Sequence, residues 1–304
     1  MRLILLWLRA VRAPFFTGSV APIVVGTALA YYHTGRVDWL LAVLATVSLT
    51  LLHASANLSN DFFDHLTQND ELNLSFASPF TGGSRVIQEG LVPAWQMLAA
   101  ALLTMGAGAL IGFYMVWVAG WPILWLGVIG GVTGFFYTAP PFRFVYRGIG
   151  EPFIFIDFGL LPVLGAYFLQ ARSFPAEAFL AGVPVGLLIM GVLWINQFQD
   201  SEADAAAGKR HWVVRLGRRC AAKVHVAVLA LTYVSVLAGI VLGMFPPHTL
   251  LVLLSLPLAW QASRTVLASY DDLPKLTPAN AATIGTHFAV SLLLSLGLVL
   301  AKLL

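Results

Sequence analysis

Charged residues and cysteine are scarce in this sequence of 304 residues. Only 10% of the residues are charged and 59% are hydrophobic, whereas a soluble domain carries roughly 25% charged residues. The mean hydropathy is +0.84, and a water-soluble fold of this length cannot bury so much apolar surface. The single cysteine, Cys220, excludes an internal disulfide framework and a multi-cysteine metal site. The composition therefore predicts that the lipid bilayer is the solvent of this protein.

A concentrated basic patch is also absent, although the net charge is +3 and the pI is near 9.1. The basic residues lie between hydrophobic runs, so we expect no nucleic-acid partner. Arg2, Arg9 and Arg12 precede the first apolar run. No convincing small-residue cleavage site accompanies them, so we expect this segment to be retained and not removed as a signal peptide.

Long apolar runs, by contrast, occur throughout the sequence. A membrane-crossing helix needs about 20 mostly apolar residues, and an unpaired strand would leave its backbone polar groups unsatisfied in lipid. We therefore predict an all-α membrane bundle of about nine transmembrane helices, forming a single domain over residues 1–304. The predicted spans are 15–33, 39–59, 94–118, 121–138, 152–171, 177–198, 221–244, 248–268 and 283–303.

Lysine and arginine are distributed unequally between the two sides that nine spans define. One side holds only Arg36, Arg172 and Lys302. The other side holds all remaining cations, together with the N-terminus and the two long polar segments near 60–93 and 199–220. Because basic residues concentrate in cytoplasmic loops, we predict a multi-pass protein of the cell (inner) membrane. Its N-terminus and both polar segments then face the cytoplasm.

Two polar motifs follow predicted spans on this side. In the first, Asn60 and Asp64 are four residues apart and Asp61 is three residues before Asp64. Residues at these spacings share one face of a helix, and Asn57 lies one turn earlier on the same face. In the second motif the three residues at successive four-residue steps are Asn196, Asp200 and Asp204.

The two motifs together predict a magnesium and diphosphate site. Acidic residues in the last turns of a span are costly and usually functional, and carboxylates gathered without a cation would repel one another. Mg²⁺ binds oxygen ligands, typically one or two carboxylates plus substrate phosphates. Basic residues near the motifs complement the phosphate charge, and we single out Arg85, Arg147 and Lys209. The predicted metal ligands are Asn60, Asp61, Asp64, Asn196, Asp200 and Asp204.

The pair of motifs resembles the two Asp-rich signatures of the UbiA superfamily of membrane prenyltransferases. The matching residues are Asn60-Asp61-x-x-Asp64 and Asp200-x-x-x-Asp204, with Gly208-Lys209-Arg210 resembling the family's continuation, and the likeness covers roughly residues 10 to 300. It implies that a polyprenyl diphosphate loses its diphosphate with the help of Mg²⁺, and that an electron-rich aromatic acceptor attacks the resulting allylic carbocation. Asp61, Asp64, Asp200 and Asp204 would then be catalytic.

Within the superfamily, the sequence is most similar to the 1,4-dihydroxy-2-naphthoate polyprenyltransferases of menaquinone biosynthesis. The third acid of the first motif is Asp70, and the position four residues after Asp64 holds Gln68. The segments 137–141 and 146–151 also resemble that branch. Two departures are the loop 80–85 and Asp157, which lies within the fifth predicted span where an apolar residue is expected. Asp157 is interpreted as a contact of the acceptor, a catalytic base or a partner of another span.

Other interpretations remain open at this point. The acceptor could instead be 4-hydroxybenzoate, homogentisate, a chlorin or a glycerophosphate lipid, and a cation-coupled transporter is an alternative of another class.

Asn57 and Tyr137 are candidate substrate-binding residues, the latter by cation–π contact with the carbocation. We interpret Tyr146 as a membrane-interface residue. We expect His53 to pack or hydrogen-bond within the bundle, and His65 and His211 to be solvated.

Overall fold

The computed structural model describes residues 2–73, 76–77 and 80–304, and every regular element within these ranges is helical. This confirms the predicted all-α class. In chain order the helices are α1 (Arg2–Ala10), α2 (Ala13–Thr34), α3 (Trp39–Leu66), α4 (Asn69–Leu72), α5 (Ala94–Ala119), α6 (Trp121–Phe135), α7 (Gly150–Ala171), α8 (Ala176–Ala206), α9 (Trp212–Leu216), α10 (Arg218–Val241), α11 (Pro247–Ser269) and α12 (Leu273–Leu303).

Eight of the described helices are long and apolar enough to cross a membrane: α2, α3, α5, α7, α8, α10, α11 and α12. Helix α6 is equally apolar but has 15 residues, which correspond to about 22 Å at 1.5 Å per residue. The hydrocarbon core of a bilayer is roughly 30 Å thick. The ninth crossing that we assigned to residues 121–138 therefore stays a prediction, as does the side on which the N-terminus lies.

The surface of the bundle is apolar, as lipid contact requires. On α5 the outward residues Leu103, Leu110 and Trp117 are 74%, 71% and 82% exposed. They recur every seven residues, so they form one stripe along the helix. A surface of this kind would aggregate in water and is stable in hydrocarbon.

Small residues set the distance between the central helices. A Cβ atom on Gly26 of α2 would lie 2.3 Å from the backbone oxygen of Val163 on α7. A Cβ atom on Gly159 of α7 would lie 2.2 Å from the Cα atom of Gly186 on α8. Helices in membranes associate through such close backbone contacts, because apolar burial gives little driving force in lipid.

The turn between α2 and α3 shows how the sequence ends one helix and begins the next. Gly35 adopts a left-handed conformation with φ of 70°, and its amide donates to Tyr31 O, which is the usual glycine termination of a helix. Three residues later Asp38 accepts a hydrogen bond from Leu41 N at 3.0 Å and caps α3.

Both long helices that carry the polar motifs continue beyond the predicted spans. Helix α3 extends to Leu66 instead of residue 59, and α8 extends to Ala206 instead of residue 198. Each motif therefore lies on a continuous helix, as its spacing indicates. The polar connections after α3, α6 and α8 all gather at this end of the bundle, where Tyr146 Oη donates to Thr67 Oγ1 at 3.0 Å.

Candidate active site at one end of the bundle

The ends of α3 and α8 bring the two polar motifs together. Lys209, which follows α8, donates from Nζ to Asp64 Oδ2 at 3.0 Å and lies 3.3 Å from Asp204 Oδ1. In the same region Asn73 Nδ2 donates to Asp200 Oδ1 at 2.6 Å. The two motifs thus face each other across one small space, as their equivalent positions on the same side of the membrane led us to expect.

Within the first motif, the two aspartates have different partners. Asn60 Nδ2 donates to Asp64 Oδ2 at 3.1 Å, so these residues share a face of α3. Asp61 turns toward the N-terminal segment and accepts a hydrogen bond from the Arg12 guanidinium. It also accepts from Ser84 N at 3.1 Å and from the Ser84 hydroxyl. Asp61 is therefore held by residues that lie far from it in the sequence.

Arg12 was interpreted from the sequence only as one of the topology-determining cations. In the structure it adopts a left-handed conformation with φ of 53°, and its Nη2 atom also lies 3.2 Å from Asn60 Oδ1. Asn57 supports this arrangement, because its Nδ2 donates to Val11 O at 2.9 Å. Asn57 thus contacts the N-terminal segment that presents Arg12, and no motif of the sequence indicated this role for either residue.

Asp70 joins the first motif as the third acid. It is buried on α4, and a Cβ atom on Gly83 would lie 2.5 Å from its Oδ2 atom. Gly83 has a positive φ of 74°, so a side chain at this position would be disfavoured by both conformation and space. Burial, together with the negative charges of Asp64 and Asp61, raises the pKa of Asp70 to about 9.

Asn196 of the second motif contacts helix α12 and not the aspartates. Its Oδ1 accepts from Asn280 Nδ2 at 2.7 Å, and Asn280 also exchanges hydrogen bonds with Gln199. Asn280 is completely buried. The predicted ligand Asn196 thus uses its carbonyl oxygen to fix α8 against α12, whereas Asp200 and Asp204 face the first motif.

His211 is wrongly predicted as a solvated residue. It is completely buried, and its Nε2 atom lies 3.0 Å from Asp204 Oδ2. It also caps the N-terminus of α9, where its Nδ1 atom accepts a hydrogen bond from Val214 N at 3.4 Å. The chain returns to α8 after Gly208, and this fold-back, which the local sequence does not show, buries the ring. His65 is 37% exposed beside Glu71.

The three basic residues that we assigned to phosphate binding have different positions. Lys209 lies between the motifs, and Arg85 donates from Nη1 to Asp70 O. Arg147 is exposed and donates to Pro141 O at 3.1 Å, so the structure does not bring it to the aspartates. Burial acts to lower the pKa of Lys209, but the charges of Asp204 and Asp64 outweigh burial and raise this pKa well above its usual value.

A further buried acid, Glu151, supports the segment that carries Lys209. Its Oε1 accepts from Trp212 N at 2.9 Å and from Gln197 Nε2 at 3.3 Å. Glu151 is 1% exposed, so these bonds are shielded from water and hold α7, α8 and α9 together. Tyr137 lies beside this group, because a Cβ atom on Gly150 would be 3.0 Å from its ring.

The donor set fits a hard divalent cation. Asp64 Oδ1, Asp70 Oδ2 and Asn69 Oδ1 are buried oxygen atoms with no hydrogen-bond partner among the residues that the structure describes, and carboxylate and amide oxygens are the ligands that Mg²⁺ takes. Within the described parts of the chain, no three acidic, histidine or cysteine side chains converge closely enough to hold an ion in this arrangement. Lys209 stands between Asp64 and Asp204 and forms an ion pair with each of them.

An apolar cavity of about 320 Å³ lies beside this site. It follows α3 inward from Ser59 and is walled by α5, α6 and α7. Asp157 lines it and accepts a hydrogen bond from Thr133 Oγ1 at 2.8 Å. His53 also lines the cavity and is bonded to Ser19 Oγ at 2.8 Å, which confirms the predicted hydrogen bond within the bundle. The cavity thus joins apolar walls to a few fixed polar groups.

Comparison with known proteins gives the same family as the motifs. The sequence matches the UbiA prenyltransferase family over residues 19–284. It is 32% identical to the 2-carboxy-1,4-naphthoquinone phytyltransferase of Synechocystis over 96% of this chain and 92% of that protein. It is 31% identical to the 1,4-dihydroxy-2-naphthoate octaprenyltransferase of Escherichia coli, covering 97% of this chain and 96% of the relative.

A solved structure has the same fold. It is a UbiA homologue from Archaeoglobus fulgidus bound to DMAPP and Mg²⁺, with a TM-score of 0.59 and 16% sequence identity. The match covers 93% of this chain and 98% of the homologue. The sequence match, the relatives and the fold agree that this chain belongs to the UbiA prenyltransferase family of integral membrane enzymes.

Proposed function

We propose that this enzyme transfers a polyprenyl group from a polyprenyl diphosphate to 1,4-dihydroxy-2-naphthoate. The C–O bond between the prenyl group and the diphosphate breaks, and a C–C bond to the ring forms as the ring carboxylate leaves as CO₂. The observation that carries the proposal is the meeting of Asp64 and Asp204 beside the apolar cavity. The E. coli relative is named for 1,4-dihydroxy-2-naphthoate and the Synechocystis relative for a 2-carboxy-1,4-naphthoquinone, and these names support this acceptor.

The carboxylates of both motifs are assigned to metal and diphosphate binding. Bound Mg²⁺ supplies positive charge that stabilises the departing diphosphate. Asp61, Asp64, Asp200 and Asp204 would supply the oxygen atoms that hold it, with Asn60 beside them. A structure of a family member with DMAPP and Mg²⁺ supports this assignment.

Positive side chains of the chain itself complement the phosphate charge. Lys209 lies between the motifs, and Arg12 and Arg85 contact Asp61 and the backbone of Asp70. Cations held in a site shielded from water interact more strongly with phosphate than they would in water. These residues would bind the diphosphate and retain it after the C–O bond breaks.

The apolar cavity is assigned to the prenyl group. Its walls are mostly aliphatic and glycine residues of α3, α5, α6 and α7, and they would exclude water from the allylic carbocation. Phe135 and Phe158 also line the cavity, and aromatic rings stabilise a nearby cation. Tyr137 follows the end of α6, two residues after Phe135, and we assign it the same role.

Asp157 is assigned to the acceptor. Its carboxyl group lines the apolar cavity, where it accepts one hydrogen bond from Thr133. A carboxylate in this position can accept a hydrogen bond from a ring hydroxyl, orient the ring and increase its electron density. The assignment makes Asp157 a catalytic residue that contacts the acceptor.

The site is assigned to the cytoplasmic side of the cell membrane. The segments that surround it carry nearly all of the lysines and arginines, and the opposite side holds Arg36, Arg172 and Lys302. This distribution is the one that cytoplasmic loops have. Both substrates would then reach the site from the cytoplasm or the adjacent lipid leaflet.

The metal and diphosphate assignment is tested by Asp64→Asn and Asp200→Asn. Each variant removes one negative charge from a motif and leaves the shape of the side chain unchanged. We expect Mg²⁺-dependent prenyl transfer by the purified variants to fall by at least about a hundredfold, the scale of losing one electrostatic contact to a developing charge. Asp271→Asn, at an exposed acid outside the site, should retain full activity. Turnover at the normal rate in either motif variant would contradict the assignment.

The acceptor is tested with one labelled polyprenyl diphosphate and a panel of acceptors. We expect transfer to 1,4-dihydroxy-2-naphthoate, and weaker or no transfer to 4-hydroxybenzoate, homogentisate, a chlorin or a glycerophosphate lipid. Transfer to another member of the panel, with none to the naphthoate, would reject the acceptor and retain the prenyltransferase. Family membership already favours a transferase over the cation-coupled transporter.

A further inference from the structure

The ammonium group of Lys209 fills the space between the two motifs. Its Nζ atom is 3.0 Å from Asp64 Oδ2 and 3.3 Å from Asp204 Oδ1. The lysine is 5% exposed. Among the described residues, Asp64 Oδ1 is buried and has no hydrogen-bond partner, and Asp204 Oδ1 is buried with the Lys209 ammonium group as its ion-pair partner. A second cation between these carboxylates would therefore have to take space that the ammonium group occupies.

The position of Lys209 has an electrostatic cause. Asp64 and Asp204 belong to α3 and α8, and each lies within 3.3 Å of the same nitrogen atom. Two carboxylates this close and this buried repel each other strongly when no cation stands between them. Asp200, one turn before Asp204, adds a third acid that is bonded to Asn73. Lys209 thus supplies the positive charge that allows the ends of α3 and α8 to approach.

A divalent cation held by the same carboxylates would compete with Lys209. Mg²⁺ requires oxygen ligands at about 2.0–2.1 Å, so an ion shared by Asp64 and Asp204 would stand where the Nζ atom stands. A monovalent ammonium group and a divalent ion at that distance from each other would also repel. The two cations are therefore alternatives for one position.

We propose that Lys209 is an exchangeable counter-ion, whose ammonium group occupies the cation position between Asp64 and Asp204 until a divalent ion displaces it toward the diphosphate. This inference rests on the proposed metal and diphosphate site. It adds that one residue has opposite effects on the two ligands. Lys209 weakens the binding of the metal alone and strengthens the binding of the prenyl diphosphate.

The surroundings of Lys209 permit this displacement. Gly208 precedes it with a positive φ of 84°, and no atom of the described residues lies within 4 Å of a Cβ added there, so the backbone on this side is unhindered by them. The ring of Tyr146 lies 5.6 Å from Nζ and provides a second contact for the ammonium group. The backbone amide of Lys209 donates to Asp204 O at 2.8 Å and holds the residue at the site while its side chain moves.

The test compares Lys209→Met with the wild type, because methionine retains an unbranched side chain without the charge. Binding of Mn²⁺ alone is measured by electron paramagnetic resonance, and binding of Mg²⁺ alone by calorimetry, with no diphosphate present. We expect the variant to bind the metal at least about tenfold more tightly, and its KM for the prenyl diphosphate to rise. Lys275→Met, at an exposed lysine paired with Asp272, should change neither. Unchanged or weaker metal binding by Lys209→Met would overturn the proposal.

A second measurement uses the unmodified enzyme and does not depend on the folding of a variant. Acetylation of Lys209 by an amine-reactive reagent such as acetic anhydride, followed by mass spectrometry, reports whether the side-chain nitrogen is buried. We expect slow acetylation without added metal and at least about tenfold faster acetylation with saturating Mg²⁺. Equal rates would reject the exchange. Prenyl transfer measured on the same preparation separates the two hypotheses, since a transfer-active enzyme with equal rates refutes only the exchange.

Discussion

Asp157 places a carboxyl group in the otherwise apolar wall of the cavity, which is unusual. A carboxyl group inside a membrane span is costly unless it is paired, and here the described structure gives it one hydrogen bond, from Thr133 Oγ1. A threonine hydroxyl offsets only part of the cost of burying a carboxylate. An acid retained at such a position is explained best by a ligand that uses it, and this supports its assignment to the acceptor.

Replacement of Asp157 by asparagine should affect one substrate only. The amide retains the shape of the side chain but loses the charge that accepts a hydrogen bond from a ring hydroxyl. We expect the KM for the acceptor to rise by roughly tenfold or more, the scale of one hydrogen bond to a charged group, while the KM for the prenyl diphosphate stays within about twofold. Steady-state kinetics with each substrate varied in turn measures both values. A parallel rise of the two would instead indicate a general structural defect.

The element that presents Asp157 is an irregular part of α7. Residues Ile156–Leu160 form a π-helical turn, and Pro162 follows it with no backbone N–H to continue the regular hydrogen bonds. A π-helical turn inserts an extra residue and changes the direction of the side chains around it, and such turns occur frequently at functional sites. The π-helical turn, which the missing N–H of Pro162 favours, thus helps to explain why the side chain of Asp157 lines the cavity.

Close packing between helices is testable at Gly26. A methyl group there would lie 2.3 Å from Val163 O and 2.8 Å from Ala166 Cβ. We therefore expect Gly26→Ala to lower the thermal unfolding temperature, since overpacking costs about 1–3 kcal/mol. Gly112→Ala is the matched control, because nothing lies within 4 Å of the added methyl group. It should leave the temperature unchanged or raise it slightly, because alanine is the better helix former. Equal decreases in both variants, measured by scanning fluorimetry in detergent, would contradict the packing argument.

In the whole molecule, the charged groups of the site and the apolar cavity lie at different positions along the bundle axis. Both motifs, the lysine between them and the connections that surround them lie at one end of the bundle, and the cavity extends from that end between apolar helices. This arrangement suits a reaction between a charged head group and a long hydrocarbon tail, because each part of the substrate meets the environment that solvates it. The buried acids of the two motifs are close to the polar connections, since Asp200 accepts from Asn73 and Asp64 from Lys209.

The only cysteine of the chain offers a direct test of orientation. Cys220 is exposed in the first turn of α10, at the same end as the two motifs. We expect a membrane-impermeant maleimide to label Cys220 in inside-out membrane vesicles, where the cytoplasmic side is accessible. We expect no labelling in right-side-out vesicles, where only the external side is accessible. In a Cys220→Ser background, Arg36→Cys at the opposite end should show the reverse pattern. Labelling of Cys220 from outside would reverse the proposed topology.

The sequence by itself determined the class of the protein, its eight long apolar helices and the two polar faces. These follow from composition and from spacing along single helices, so Asn60 and Asp64 share a face wherever α3 packs.

Only the tertiary structure decided the partners of those faces. Lys209 lies 145 residues from Asp64, and Arg12 lies 49 residues from Asp61. It also directed Asn196 to Asn280 and buried His211 against Asp204. Such contacts depend on how helices pack and loops fold back, and no local period in a sequence encodes that geometry.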